Sequence, residues 1–183
     1  PTSLVRNWEA EAAKFTPWMK RLVVSGPERH RAFGAIGKAD IVITSNGGAP
    51  LDQNIYQCVK SMTAAEASCK EGGVIILCAE CADGHGGEGF YRALTDCESP
   101  AALYAEQMAT PQDKTVPDQW ESQILARILK KYTVIMVCLP KYKGIVEDMK
   151  MKYAETLDEA IAMAKAMGKE SMTFIPNGVS VIV

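Results

Sequence analysis

The sequence predicts a three-layer α/β fold, a mainly parallel sheet with helices on both faces. Three observations predict it. The runs ADIVITS (Ala39–Ser45), GGVIILCA (Gly72–Ala79) and TVIMVCL (Thr133–Leu139) are apolar and rich in β-branched residues, as strands buried on both faces are. Helical start signals separate these runs. The first two runs each lead into a glycine-rich turn, Asn46-Gly47-Gly48 and the loop CADGHGGEGF at 81–90. Strand–helix alternation calls for right-handed crossovers, which keep the strands parallel and give a Rossmann-like sheet. Ligands of such sheets collect outside the carboxyl ends of the strands.

Residues 1–38 lack clear periodicity and contain Pro17, Gly26, Pro27, Gly34 and Gly37. They hold seven Lys and Arg against three Asp and Glu. They read as a lead-in or linker with a helix at roughly Leu4–Phe15, and 39–183 read as the α/β domain. After the first strand, Pro50 fits the first position of a helix, where its missing N–H costs nothing. Thr63 and Glu66 match a capping box, so a second helix is expected near Thr63. The strand Gly72–Ala79 and its glycine loop follow. Ser99-Pro100 opens a helix of about ten residues, and Asp118 with Glu121 caps another as far as Lys131. After Thr133–Leu139 come a short helix at Ile145–Met151 and a last helix capped by Thr156 and Glu159, closed by Gly168. SMTFIPNGVSVIV (171–183) is expected to give one or two strands.

A length of 183 residues suits one domain, and 48% apolar with 23% charged residues describes a soluble globular protein. A net charge of −2 gives no global electrostatic case for nucleic acid or anionic lipid. No apolar run approaches the ~20 residues of a membrane span. A start at Pro1, with no signal peptide, suggests a processed product or a fragment. Of six cysteines (Cys58, Cys69, Cys78, Cys81, Cys97, Cys138), Cys58, Cys78 and Cys138 sit in apolar patterns as small buried hydrophobes. The chain therefore reads as reduced and cytoplasmic.

Gln53, Tyr56, Gln57 and Lys60 fall at i, i+3, i+4, i+7, one face of a helix, with Ile55, Val59 and Met62 opposite. A phenol, amides and an ammonium suit a carboxylate, phosphate or hydroxy acid. The turn Ser45, Asn46, Gly47, Gly48 would add N–H groups at the mouth of a cleft. The same stripe also fits a solvated helix face. Cys78, Cys81 and His85 could bind zinc or nickel. Alternatively Cys78 is buried and the Gly84, His85, Gly86 loop is shaped for close backbone approach, with His85 a possible donor or acid. Trp120 could pack inward or wall a pocket. Ile124, Leu125, Ile128 and Leu129 look like core, and His30 reads as solvent-facing. No GxGxxG, GxSxG or Walker pattern occurs.

DIVITSNGGAPLDQNIYQCVK, GGVIILCAECADGHGGEGFY and DQWESQI, in this order and followed by FIPNGVSVIV, resemble the nickel-dependent lactate racemase family. The likeness runs from about Asp40 to the end and is to its carboxy-terminal domain; residues 1–38 do not match. It implies two α/β domains enclosing a nickel-pincer nucleotide. The amino-terminal domain would supply the tethering lysine, the nickel-binding histidine and two acid/base histidines. The resemblance implies that a hydride leaves the α-carbon of a 2-hydroxy acid for the cofactor and returns to either face. By the same resemblance Tyr56, Gln57, Lys60 and Trp120 line the substrate site, Lys60 holding the carboxylate. No catalytic residue and no metal ligand is assigned in this chain, because no lysine matches the tether and the only histidines, His30 and His85, do not match the acid/base pair. The partners implied are the amino-terminal domain of the same protein and a small 2-hydroxy acid. Two other readings stand beside this one, a free-standing nucleotide- or anion-binding module without catalysis and a Cys/His metal site.

Overall fold

The computed structural model describes Ala10, Lys14 and residues 37–181. The helix expected at Leu4–Phe15, apart from helical Ala10 and Lys14, lies outside the described residues, as do His30 and the last two residues. The chain divides into two compact units, Pro1–Gly37 and Lys38–Val183. Every element that follows belongs to the second.

The elements run β1 (Ala39–Ser45), α1 (Ile55–Ser68), β2 (Cys69–Cys78), α2 (Glu88–Thr95), α3 (Pro100–Ala109), α4 (Gln119–Leu129), β3 (Thr133–Val137), α5 (Lys143–Asp148), β4 (Lys152–Ala154), α6 (Leu157–Ala166) and β5 (Met172–Ile175). The five strands form one parallel sheet in the order β4-β3-β2-β1-β5. Their side chains alternate between two layers. Val42, Ile75, Leu77, Val134 and Met136 pack with α1, α2, α4 and α5 through Ile55, Met62, Phe90, Leu125 and Val146. Ile41, Ile43, Val74, Ile76 and Ile135 face the other way and meet Ala160 and Ala164 of α6. The opposite placement of α6 follows from topology. β1 to β4 advance in one direction and β5 returns beside β1, so a right-handed crossover carries α6 to the other face. The strand order thus reverses between β1 and β5, and the turn leaving β1 sits at that switch point.

Several local expectations give way to packing. Pro50 lies in a turn rather than at a helix start. α1 begins at Ile55, with Asn54 as N-cap (φ −156°, ψ 167°) accepting from the Gln57 N–H through its side chain. Gln53 therefore precedes the helix and leaves the stripe. No second helix starts at Thr63, whose hydroxyl donates to the Val59 carbonyl at 3.1 Å within α1. The reason is magnitude: a cap is worth about 1 kcal/mol, whereas each fully buried Val, Ile or Met contributes about 1.5–3 kcal/mol. Cys58, Val59, Met62, Ala65 and Cys69 keep one face buried straight through. Asp118 stands at the N-cap position of α4 but in the left-handed region (φ 62°), and its side chain does not cap the helix. α2, where the sequence suggested only loop, forms because Phe90 and Leu94 one turn apart both reach the core. The expected helix at 145–151 is the shorter α5, followed by the three-residue β4. The end of the chain gives one strand, β5, then a 3₁₀ turn at Gly178–Ser180.

At the amino edge of the sheet the Asp40 carboxylate accepts from Ser171 Oγ (2.6 Å), Ser171 N (3.0 Å) and Lys70 Nζ (2.9 Å). The Ser171 hydroxyl, then Lys70, hold this carboxyl well below the usual carboxylate range. The contacts join the starts of β1, β2 and β5. That leaves the opposite edge for chemistry.

Candidate functional site

α1 leaves its amino end beside the loop that follows β2. The Ile55 N–H donates to the Gly84 carbonyl (3.0 Å) and the Tyr56 N–H to the His85 carbonyl (3.2 Å). Asn54 Oδ1 accepts from Gln57 N (2.9 Å), and Asn54 Nδ2 donates to Asp83 Oδ2 (3.1 Å). The first donors of α1 are thus satisfied by protein groups. Gly86 permits this closeness. Its φ is +85°, and a Cβ there would lie 2.4–2.8 Å from the Asn54 amide atoms. Left-handed strain and a displaced cap together should make Gly86→Ala cost about 2–3 kcal/mol, read as a lower midpoint in urea unfolding. An unchanged midpoint would contradict this role for Gly86.

The turn after β1 is tied inward as well. Ser45 Oγ donates to the Pro176 carbonyl (2.5 Å) and accepts from Gly47 N (3.2 Å). Asn46 is buried; its amide donates to the Leu51 carbonyl, and its oxygen accepts from Ser61 Oγ (2.5 Å). The Gly48 carbonyl accepts from Leu51 N and Asp52 N. The Gly47 N–H is therefore used within the turn, where the sequence suggested a group offered to a ligand. His85 is engaged with α2. Its Nδ1 accepts from Gly87 N (3.1 Å), and its ring stacks on Tyr91 with centroids 4.7 Å apart.

The polar stripe that remains is Tyr56, Gln57 and Lys60, with Lys60 exposed and the other two half-buried. The start of α4 stands against it. Trp120, half-exposed at 51%, does not turn into the core and instead meets the Tyr56 ring edge-on (6.0 Å, 86°). Phe90 supports the same ring from beneath (5.3 Å, 74°). The Tyr56 hydroxyl donates to Asp118 Oδ1 at 2.8 Å. Burial, and then that bond to Asp118, push the phenol up to about 12, so it stays neutral through the physiological range. Lys60 Nζ donates to Gln57 Oε1. That orients the amide so that its NH₂ is the group left over for a ligand.

Asp118 and Glu121, which the sequence reading assigned to helix capping, also border this candidate wall. Glu121 is 1% exposed, and its Oε1 has no hydrogen-bond partner. Burial raises its carboxyl to about 7, Lys60 pulling it down and Asp118 pushing it up. The sign follows from linkage: a folded-state value above the ordinary one of 4.5 stabilises the fold in full below about pH 4.5. That contribution is lost as pH rises through about 7. No pattern along the chain marks this, and helix packing does. Tyr56, Lys60, Asp118 and Glu121 become one cluster as soon as α1 and α4 are placed side by side, and the Arg127–Glu66 pair (2.8 Å) fixes that placement.

The alternative grouping Cys78, Cys81 and His85 does not assemble as a metal site. Cys81 is buried with Cys58 as a thiol neighbour, and His85 faces Tyr91. Among the described residues no group of three or more His, Cys, Asp or Glu could hold a metal ion. The cysteines among them are all free. A shallow depression at the carboxyl ends of β2 and β3, lined by Ala79, Glu80, Cys138, Pro140 and Glu155, shares no residue with the Tyr56–Lys60 wall. Its two carboxylates make it a poor host for an anion. No helix among the described residues is long and apolar enough to cross a membrane.

Comparison with known proteins agrees with this fold. A family model described as the lactate racemase C-terminal domain matches residues 35–183. The lactate racemase of Thermoanaerobacterium thermosaccharolyticum is 56% identical over 147 residues, 79% of this chain and 34% of that protein. The lactate racemase of Lactiplantibacillus plantarum is 52% identical over 148 residues, again 79% of this chain and 34% of that protein. The solved lactate racemase apoprotein from T. thermosaccharolyticum superimposes with a TM-score of 0.78 at 57% identity, covering 80% of this chain and 36% of the other. The chain spans about a third of the length of the curated relatives it matches.

Proposed function

The chain belongs to the lactate racemase C-terminal domain family, and from that premise we propose that residues 39–183 form the substrate wall of a lactate, or 2-hydroxy acid, racemase. The enzyme would interconvert D and L forms together with an amino-terminal catalytic domain. One observation carries this reading: Tyr56, Gln57 and Lys60 of α1 and Trp120 of α4 converge on a single half-open surface beside the switch point of the sheet.

The chemistry of that surface suits a hydroxy acid. The Lys60 ammonium offers a charge-assisted hydrogen bond to a carboxylate, stronger once closure excludes water. The Gln57 NH₂ is a second donor. The Tyr56 hydroxyl, its proton committed to Asp118, can accept from the substrate hydroxyl. Half-exposed Trp120 gives an apolar wall that a facing domain would cover. These residues bind and orient, and none of them moves a hydride. The nickel-pincer nucleotide implied by the resemblance would supply that chemistry. The described residues offer no ligand set for its metal, and this reading places the group on the amino-terminal domain. Free, largely buried thiols fit a reducing, cytoplasmic setting.

The test is a chimaera in which 39–183 replace the matching third of the T. thermosaccharolyticum racemase. Lactate racemisation within about tenfold of the parent is expected, while the chain by itself should not racemise lactate. A folded, cofactor-loaded chimaera without activity would overturn the reading.

A further inference from the structure

Among the buried titratable groups, Glu121 is a carboxyl beside the Tyr56–Lys60 wall whose oxygen lacks a hydrogen-bond partner. Glu121 sits in the first turn of α4, next to Trp120, and its Oε1 faces no hydrogen-bond donor although the residue is 1% exposed. A buried carboxyl oxygen without a partner is costly as an anion. Two charged groups act on it, Lys60 from α1 and Asp118 from the start of its own helix, and Tyr56 beside them is a neutral phenol. The charges on the other helices packed against α4 are engaged elsewhere or exposed to solvent. In α2, Glu88 and Arg92 pair with each other at 2.7 Å. In α3 the one charged residue, Glu106, is exposed and Gln107 donates to Ser122 (2.7 Å), while Lys130 at the end of α4 lies over the Tyr104 ring. Glu66 is closed on Arg127.

The Tyr56–Asp118 bond and the Glu66–Arg127 pair hold α1 and α4 side by side in parallel register, which brings Lys60 opposite Glu121, and the proposed function gives the same cation to the substrate. Two carboxylates sharing one ammonium cannot both stay ionised without cost. The buried one, already held near neutrality by its surroundings, is the one that takes the proton. We propose that Glu121 is a positioning residue that neutralises the free Lys60 and takes up a proton when a hydroxy-acid carboxylate arrives. This inference rests on Lys60 gripping the substrate. The proton comes from solvent and returns to it on product release, and no bond of the substrate changes in the step. The device leaves Lys60 facing one carboxylate charge in both states, and it makes hydroxy-acid affinity fall as pH rises and Glu121⁻ competes for the ammonium.

The experiment uses the holoenzyme, this domain joined to its amino-terminal domain, and racemic lactate, so that no net turnover occurs. Calorimetric titration at about pH 8 in buffers of different ionisation enthalpy reads the protons taken up. Wild type should take up about half a proton or more per lactate beyond Glu121→Gln, and its Kd should rise between about pH 7 and 9 while that of Glu121→Gln stays flatter. Equal uptake in the two proteins would overturn the proposal. Difference infrared spectra of wild type, with and without lactate, give a readout that needs no variant and that histidines do not mimic. A new protonated-carboxyl band is expected, and its absence overturns the proposal even if Glu121→Gln fails to fold. Lys60→Ala separates the two readings. If it leaves lactate affinity unchanged, the substrate-wall reading itself has failed. If it weakens binding while wild type shows no excess uptake, only the role of Glu121 has failed.

Discussion

Replacing Lys60 with Ala in the holoenzyme is expected to raise the KM for lactate roughly 10- to 150-fold, with a smaller effect on kcat. The figure comes from the loss of one hydrogen bond to a charged group, about 1.5–3 kcal/mol, at about 1.4 kcal/mol per factor of ten. The loss should fall on KM because the ammonium meets a carboxylate that carries the same charge before and after the α-carbon reacts, so it is uniform binding that disappears. Two local effects set where in the range the value falls. Lys60 is exposed in this domain, which weakens the contact until a facing domain excludes water. Its bond to Gln57 Oε1 also holds the amide that should be the second donor, so truncation costs part of that contact too. Lys60→Arg should recover only part of the loss, since a planar guanidinium cannot reproduce a compact ammonium on a site built around one amide. Steady-state kinetics with each enantiomer reads the effect. A KM and kcat both unchanged would remove Lys60 from the site.

The largest structural effect is expected at Phe90. Phe90→Ala should destabilise the domain by about 3–5 kcal/mol, the usual range for a large buried aromatic, out of a total of about 5–15 kcal/mol. Phe90 is 1% exposed and packs in the layer formed by α1, α4 and the sheet. It is also the ring beneath Tyr56, an edge-to-face contact worth about 0.5–1.5 kcal/mol beyond its area. The variant should therefore lose stability in urea unfolding and, while still folded, bind lactate more weakly as Tyr56 loses support. Phe90→Leu, nearer in volume, should recover most of the stability. A change below about 1 kcal/mol in Phe90→Ala would mean that this helix does not anchor the site.

The fold was legible wherever burial on both faces makes a strand continuously apolar, as in Ile41–Thr44, Ile75–Leu77 and Val134–Met136. It was least legible where one signal serves two structures. Thr63 and Glu66 satisfy a capping pattern, yet they lie inside α1 because the apolar face of that helix continues beneath them. β4 is three residues long and carries no pattern of its own. Its pairing with β3 creates it. At the candidate site, Tyr56, Gln57 and Lys60 were readable because all three lie on one helix at helical spacing. Gln53 was misplaced with them because Asn54, and not Pro50, sets the helix start. Asp118 and Glu121 were hidden for a different reason. D-x-x-E before an apolar run reads as a helix cap, and only the packing of α4 on α1 turns those carboxylates toward Tyr56 and Lys60. Trp120 illustrates the limit of spacing arguments, since its position in the helix fits core as well as surface, and the ring of Tyr56 decides it.

The central claim is that the hydrophilic edge of α1 is where the substrate's acid group is held. A crystal structure of the holoenzyme with lactate or a non-reacting hydroxy-acid analogue tests it most directly. The account predicts a carboxylate oxygen within about 3 Å of Lys60 Nζ, with Trp120 against the ligand and Glu121 behind the ammonium. A ligand bound elsewhere, with the Lys60 amine left in bulk solvent, would contradict it.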